Sequence, residues 1–271
     1  KQPDMRNQFQ MDASTSRLFL KLIGKRTAVG DFTVYVESDF RGQGEGSYNM
    51  RLRQAYIQLG ALKVGKAWST FCDPVAAPPT IDFEGPSGTV CARNVMLQYH
   101  HRFNEHWSMA SAIEMPSATY TTLPNASENI KQRIPDLPSY IQYEWNDGKS
   151  HIRLSNLLRF LSYRNLMEGK NKYVIGFASQ LSGMIAFSPR ITFYYQAAYG
   201  HGYADYLNDL GGLGYDLIPD GDNGKLKAPY ALGIVGGLQY NLCKNFFVSA
   251  SYSQCRLYDQ ASLSESAYKY G

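Results

Sequence analysis

Polar and apolar side chains alternate residue by residue over long stretches of this chain. Between residues 16 and 23, Leu18, Leu20 and Leu22 would project from one side of an extended strand, and Arg17 and Lys21 from the other. An amphipathic helix would instead repeat its apolar residues every three to four positions, and no segment longer than about ten residues does so. The pattern therefore predicts an all-β fold.

The alternation predicts antiparallel strands that are joined by turns and loops of uneven length. The segment Asn146–Lys149 contains an Asp-Gly pair, which favours a tight hairpin turn. The twelve expected strands cover 16–24, 31–40, 49–59, 61–69, 93–102, 106–114, 138–146, 150–160, 171–182, 189–200, 229–242 and 245–256. The expected long connections cover 70–92, 115–137, 161–170, 201–228 and 257–268.

Short turns at one end of the strands and long loops at the other are typical of outer-membrane barrels, whose short turns face the periplasm. A soluble β-sandwich has no physical reason to sort its connections in this way. No linker or repeat interrupts the alternation, so we expect residues 1–271 to form a single transmembrane β-barrel domain. A soluble β-sandwich or lectin-like binding module remains one alternative, and a membrane-embedded barrel enzyme remains another.

The composition agrees with a barrel that has a lipid-covered outside and a wet inside. Hydrophobic residues make up 44% of the chain, yet the mean hydropathy is −0.35. A barrel strand has this character because only every second residue must be apolar. The 21 tyrosines suit positions where one end of the ring is dry and the other wet. The net charge of +4 is dispersed, so we expect no nucleic-acid partner.

Motifs for catalysis and for cofactor binding are missing from the sequence. Phosphate-binding glycine loops and the HExxH metal motif do not occur, and the Gly85–Gly88 segment does not fit a nucleophile elbow. The four cysteines include no CxxC pair that would indicate zinc. We therefore expect no enzyme activity, no catalytic residues, no metal and no cofactor.

Several segments resemble the DcaP-like family of Gram-negative outer-membrane porins. The matching segments, in chain order, are Asp12-Ala13 with Ser16-Arg17, Asn49–Tyr56, Val64–Phe71, Asp82–Gly88, and Gly202-Tyr203 with Tyr206–Asp209. The sequence departs from the family at Lys66, Cys72 and Pro79, where Gln, Met and Glu are usual. These departures concern the preferred solute more than the fold.

The resemblance implies a trimeric channel of sixteen strands in the outer-membrane lipid, open to anions. One strand before the twelve that we identify, and three after them, would complete such a barrel with its ends in the periplasm. We therefore expect this sequence to be an interior portion of a longer chain.

Charged residues on the polar faces of the strands are the candidates for lining the pore. Bases outnumber acids among them, and Arg51 and Arg53 lie on the same side of one strand, so we expect a preference for small anionic solutes such as dicarboxylates. The alternative is that these charges pair across strands and only fill the lumen. The candidate pore-lining residues are Arg17, Lys21, Arg51, Arg53, Lys66, Arg102, Arg153, Arg159, Glu37, Asp39 and Glu114.

The connection at 70–92 is a candidate constriction loop. It contains four prolines, which stiffen the backbone, and the acids Asp73, Asp82 and Glu84. We expect it to fold into the barrel and place its carboxylates opposite an arginine wall; packing on a neighbouring subunit is the alternative. Cys72 and Cys91 bracket the loop and are the preferred pair for a disulfide, although all four cysteines could equally be free.

Overall fold

The computed structural model describes residues 11–27, 30–43, 48–81 and 85–258. Its strands are β1 (Leu18–Thr27), β2 (Gly30–Asp39), β3 (Arg51–Leu59), β4 (Leu62–Trp68), β5 (Arg93–Arg102), β6 (Trp107–Glu114), β7 (Ser127–Asn129), β8 (Leu137–Trp145), β9 (Ser150–Asn165), β10 (Lys170–Ala186), β11 (Ile191–His201), β12 (Ile218–Pro219), β13 (Leu226–Lys227), β14 (Tyr230–Cys243) and β15 (Phe246–Leu257).

Twelve long strands form one antiparallel sheet in which each strand pairs with its neighbours along the chain. They correspond to the twelve strands predicted from the alternation, so that prediction is confirmed. The short strand β7 joins the sheet through β9, and β12 and β13 form a separate hairpin within the 201–228 loop. Within the described residues, β1 and β15 are the two edges of the sheet.

One predicted loop is wrong. The segment 161–170 was expected to be a long connection, but β9 continues to Asn165 and β10 begins at Lys170, with only a tight turn between them. The apolar side of β9 changes there: Ile152 and Leu154 are exposed on the outer face, whereas Leu161 and Tyr163 face inward and are buried with Leu217 and Leu226 of the 201–228 loop. The polar residues at the tip of the hairpin made this extension look like a loop.

The outer face of the sheet is apolar and exposed, as in a transmembrane β-barrel wall. Leu20, Leu97 and Ile175 are 57%, 48% and 48% exposed on this face. Apolar surface of this extent is stable only when lipid covers it, which excludes the soluble sandwich. No helix in the described part of the chain is long and apolar enough to cross a membrane.

Aromatic side chains gather near both ends of the wall. At the short-turn end, Trp107 lies 5.0 Å from Tyr143, measured between ring centroids. At the long-loop end, Tyr199 stacks on Tyr230 at 5.6 Å. Rings with one dry and one wet edge favour the boundary between hydrocarbon and headgroups, so these two belts mark the two membrane surfaces.

The long loops turn inward and pack together on the polar side of the sheet. Phe71 of the 70–92 loop meets Tyr206 of the 201–228 loop edge to face, with ring centroids 5.8 Å apart. Val90 and Leu207 pair through their backbones, and both are buried. The buried apolar core of the chain therefore lies among these loops, inside the wall.

Candidate pore constriction

The loop at 70–92 begins where β4 ends and crosses the inner face of the sheet to the opposite strands. Its anchor is Asp73, which is fully buried. The Asp73 carboxylate is 2.8 Å from Nε2 of His151 on β9 and accepts a hydrogen bond of 2.7 Å from the Ser182 hydroxyl on β10. A charge-assisted pair of this kind is stronger than a neutral hydrogen bond, so it fixes the start of the loop on the wall.

Further contacts hold the rest of the loop against more distant strands. Gln196 of β11 donates its amide to the Asp73 carbonyl at 3.2 Å and accepts from the Val90 backbone at 3.3 Å. Ser249 of β15 donates to the Pro79 carbonyl at 2.8 Å. The loop therefore spans the inside of the sheet from β4 to β15, which is the inward placement expected from its sequence. Its action as a constriction stays a prediction.

The acids of this loop have roles other than those expected. Asp73 was expected to face an arginine wall across the channel, but its carboxylate is buried as the loop's anchor. Burial alone would raise the pKa of Asp73, yet the hydrogen bond from His151 and the charge of Arg153 hold that pKa below its usual value. Asp82 and Glu84 lie outside the described residues.

The expected disulfide between Cys72 and Cys91 is not formed, and both residues are free thiols. The Cys72 sulfur instead accepts a hydrogen bond of 3.2 Å from the Ala92 backbone and packs in the buried cluster around Phe71. Burial raises the pKa of the Cys72 thiol well above its usual value. The Ser69 backbone amide also donates to the Ala92 carbonyl, so the two ends of the loop lie side by side.

A pocket of about 380 Å³ opens between this loop and the wall formed by β1 to β5. Prolines and backbone of the loop form one side, and basic side chains form the other. The arginines that line it are Arg17, Arg41, Arg51, Arg53 and Arg93. It is the place where the predicted pore charges and the predicted constriction loop come together.

Two of these arginines are held by strand acids. Arg51 binds Asp39 in two-point contact, through hydrogen bonds of 2.9 and 2.6 Å. Arg53 bridges Glu37 at 2.6 Å and Asp39 at 2.8 Å. The arrangement depends on a β-bulge, because Glu37 pairs with Gln54 and Ser38 with Leu52, which leaves Arg53 as the extra residue. The bulge lets Arg53 and Gln54 both reach Glu37.

The pocket keeps an excess of positive charge after this pairing. Among the described residues, five arginines line it and two carboxylates, Glu37 and Asp39, are paired with them. The Arg17 side chain is 46% exposed, and at 4.0 Å its contact with Glu37 is longer than a hydrogen bond. The cross-strand pairing of charges that was the alternative to a pore lining is therefore present, but it neutralises only part of the positive charge.

Arg93 and Trp68 are members of this site that were not predicted from the sequence. The guanidinium carbon of Arg93 lies 3.6 Å from the centroid of the Trp68 ring. Arg93 is the first residue of β5, and the alternation alone would place it on the outer side with Val95 and Leu97 rather than in the pocket. Arg41 was missed because it lies just after β2, outside the predicted strand 31–40.

The remaining predicted pore residues differ in where the structure places them. Lys21, opposite Tyr35, shares the inner face, and Arg102 lies near Glu144 at 3.5 Å towards the short turns. Arg153 is partly covered by the loop and donates to the Cys72 carbonyl at 3.1 Å. Lys66 is on the outer face, because its cross-strand neighbours are Ala55 and Val95. The prediction that Lys66 lines the pore was therefore wrong.

Arg159 and Glu114 face inward but are sealed from any solute. Arg159 is fully buried and contacts Asp136 at 3.1 Å and Asp216 at 2.9 Å. Glu114 is also buried and accepts a hydrogen bond of 2.7 Å from the Thr70 backbone. Both were expected to line the pore, and both instead hold inward-folded loops to the wall.

Burial raises the pKa of Asp216 to about 7, although the charge of Arg159 acts in the opposite direction. This carboxyl can therefore change charge near neutral pH among the packed loops.

No cluster of three metal-binding side chains occurs among the residues that the structure describes.

Comparison with known proteins points to one family. A model of the DcaP outer membrane protein family matches residues 4–216. The structure of the outer membrane channel DcaP of Acinetobacter baumannii is similar, with a TM-score of 0.77 and 19% identity, over 93% of this chain and 68% of that one. No curated protein sequence matches this chain.

Two further structures show weaker similarity. A loop-deletion mutant of the outer membrane protein OmpT of Vibrio cholerae gives a TM-score of 0.45 at 12% identity, over 90% of this chain and 86% of that one. The anion-selective porin from Comamonas acidovorans gives a TM-score of 0.43 at 11% identity, over 93% and 81%. Since the family model covers most of the sequence, this chain belongs to the DcaP outer membrane protein family of channels and resides in the bacterial outer membrane.

Proposed function

We propose that this channel passes small hydrophilic solutes by diffusion and prefers anions, with short dicarboxylates as the solute class to test first. The observation that supports this proposal is the excess of arginine in the pocket between the 70–92 loop and the wall. Arginine stays charged at every accessible pH, and its planar fork fits a carboxylate in two-point contact.

The physical basis is the cost of moving an ion through a narrow aqueous passage beside a low-dielectric wall. Fixed positive charges lower that cost for an anion and raise it for a cation. Arg17, just before β1, and Arg51, at the start of β3, are separated only by β2, so their spacing of about 10 Å is comparable to the Debye length at physiological salt. Their potentials therefore overlap within the pocket.

A swelling assay with proteoliposomes tests the proposal with two solutes of matched length and opposite charge. Vesicles that contain the purified protein are exposed to isosmotic succinate or to isosmotic 1,4-diaminobutane. We expect faster swelling with succinate, and protein-free vesicles provide the baseline. Equal rates, or faster entry of the diamine, would contradict an anion preference.

We also propose that the protein assembles as a homotrimer and that its wall is part of a sixteen-stranded barrel. The family resemblance supports both statements. The second is also supported by β1 and β15, which have no outer strand partner among the described residues, because an unpaired strand edge in hydrocarbon costs several kcal/mol for each unsatisfied backbone group. Native mass spectrometry in mild detergent tests the trimer, and a monodisperse monomer would contradict it.

A further inference from the structure

Arg93 differs from the other arginines of the pocket in how its charge is held. Its guanidinium is stacked on Trp68, 3.6 Å from the ring centroid, and the two residues are directly opposite one another on β4 and β5. A cation over an indole face is attracted by the ring quadrupole, and Trp is the strongest aromatic partner for it. The indole therefore fixes the plane of the guanidinium.

No carboxylate in the described part of the chain forms an ion pair with Arg93. Its Nε is buried and has no hydrogen-bond acceptor among those residues. The nearby charges include Arg53 and Arg17, which repel it, and Glu37, which attracts it without contacting it. Arg51 and Arg53, in contrast, are both in close ion pairs with strand acids.

A half-buried cation that lacks a counterion and a hydrogen-bond partner is unfavourable until an anion reaches it. All N–H donors of a guanidinium lie in its plane, so the indole that covers one face leaves the donor edges for an acceptor. A carboxylate is planar and presents two oxygens at the spacing of two such donors.

We propose that Arg93, positioned by Trp68, is the site that binds the carboxylate group of a solute in this pocket, and that the paired Arg51 and Arg53 serve mainly to maintain the positive wall. This inference rests on the proposed anion preference of the channel. It assigns solute binding to a residue outside the alternating pattern, and it gives Trp68 the role of a positioning residue.

Block of single-channel current by succinate in planar bilayers tests the assignment with two matched variants. Arg93→Gln and Arg51→Gln each remove one positive charge from the same pocket. We expect Arg93→Gln to raise the succinate concentration for half block by about tenfold or more, equivalent to about 1.4 kcal/mol. For Arg51→Gln we expect a smaller rise, of about threefold or less, because the donors of Arg51 are already occupied by Asp39 and the solute loses only long-range attraction.

Two further variants separate the charge from the geometry. Arg93→Lys keeps the charge but loses the two-point fork, so the reversal potential in a KCl gradient should stay near that of the unmodified protein while succinate block weakens. Trp68→Leu should likewise weaken succinate block with little change in the reversal potential, since it removes the indole that positions Arg93 and leaves the charge. A shift of the reversal potential with unchanged block in either variant would contradict the positioning role.

The outcomes distinguish this inference from the proposed function. An unmodified protein that prefers cations and is not blocked by succinate would overturn the anion preference itself. If the unmodified protein prefers anions but Arg93→Gln leaves the block unchanged, only the assignment to Arg93 fails, because its charge is then neutralised within the protein or lies off the path. Equal effects of the two Gln variants would also overturn the assignment.

Discussion

The anchor at Asp73 leads to a prediction about how firmly the 70–92 loop is held. In Asp73→Ala, His151 and Ser182 lose their carboxylate partner. Because His151 is buried, water does not replace that partner while the loop stays attached. Leaving a buried donor without its acceptor costs about 1–3 kcal/mol, and several groups share this carboxylate, so we expect a total cost of about 3–5 kcal/mol. At about 1.4 kcal/mol per tenfold change, detachment of the loop should become about 100 to 3,000 times more frequent.

The neighbouring thiol of Cys72 reports this detachment directly. Cys72 is 2% exposed, and burial raises its pKa well above the usual value. Both properties make alkylation slow while the loop is attached. In a background where Cys91, Cys243 and Cys255 are replaced by Ser, alkylation by a water-soluble maleimide should be at least about 100-fold faster in Asp73→Ala, if opening and closing are fast relative to alkylation.

Two controls make the result specific to the anchor. Asp222→Ala removes an exposed carboxylate of another loop and should leave the alkylation rate unchanged. Retention of the heat-modifiable gel mobility of a folded barrel shows that the wall itself is intact. If the barrel is folded and alkylation of Cys72 stays as slow in Asp73→Ala as in the unmodified background, the loop is not held by Asp73.

Three other expectations follow from the charges. Burial raises the pKa of Asp216 to about 7, so the packing of the 201–228 loop should weaken as pH rises from about 4 to about 7. Amide exchange in this loop, corrected for intrinsic rates, should therefore be faster at pH 8 than at pH 5. Asp216→Asn should remove this difference. Replacing Arg51 and Arg53 together by Gln leaves Asp39 and Glu37 unpaired and should move the reversal potential towards cations; no change would show that this cluster lies off the path of the ions. Lys66→Leu should leave the reversal potential unaltered, since Lys66 is on the outer face; a shift would place it in the pore.

The wall was predictable because its rule is local. One face of each strand meets lipid and the other meets water or polar loops, so hydrophobicity alternates with a period of two. The same parity identifies the error at Lys66, which shares the side of Val64, an apolar residue that is 54% exposed. Beyond residue 160 this rule fails, because the apolar residues of β9 there face inward and pack against a loop rather than lipid.

The details of the pore were not predictable in this way, because they depend on contacts between distant segments. Parity assigns Arg159 to the inner face, but only the inward folding of the loops decides that Asp136 and Asp216 seal it from solvent. Asp73 is an acid in a loop by sequence, and it becomes an anchor only because His151 lies opposite. Arg93 gains its position from Trp68 at the end of the neighbouring strand.

Selective passage of anions is the central claim, and the reversal potential of the purified protein tests it most directly. The protein is inserted into a planar bilayer with a tenfold KCl gradient, and the voltage at zero current is measured. Because K⁺ and Cl⁻ have nearly equal mobilities in water, a neutral pore gives a value close to zero. We predict a reversal potential with the sign of chloride selectivity, owing to the unneutralised arginines of the pocket. A potential of the opposite sign, or one at zero, would contradict the account.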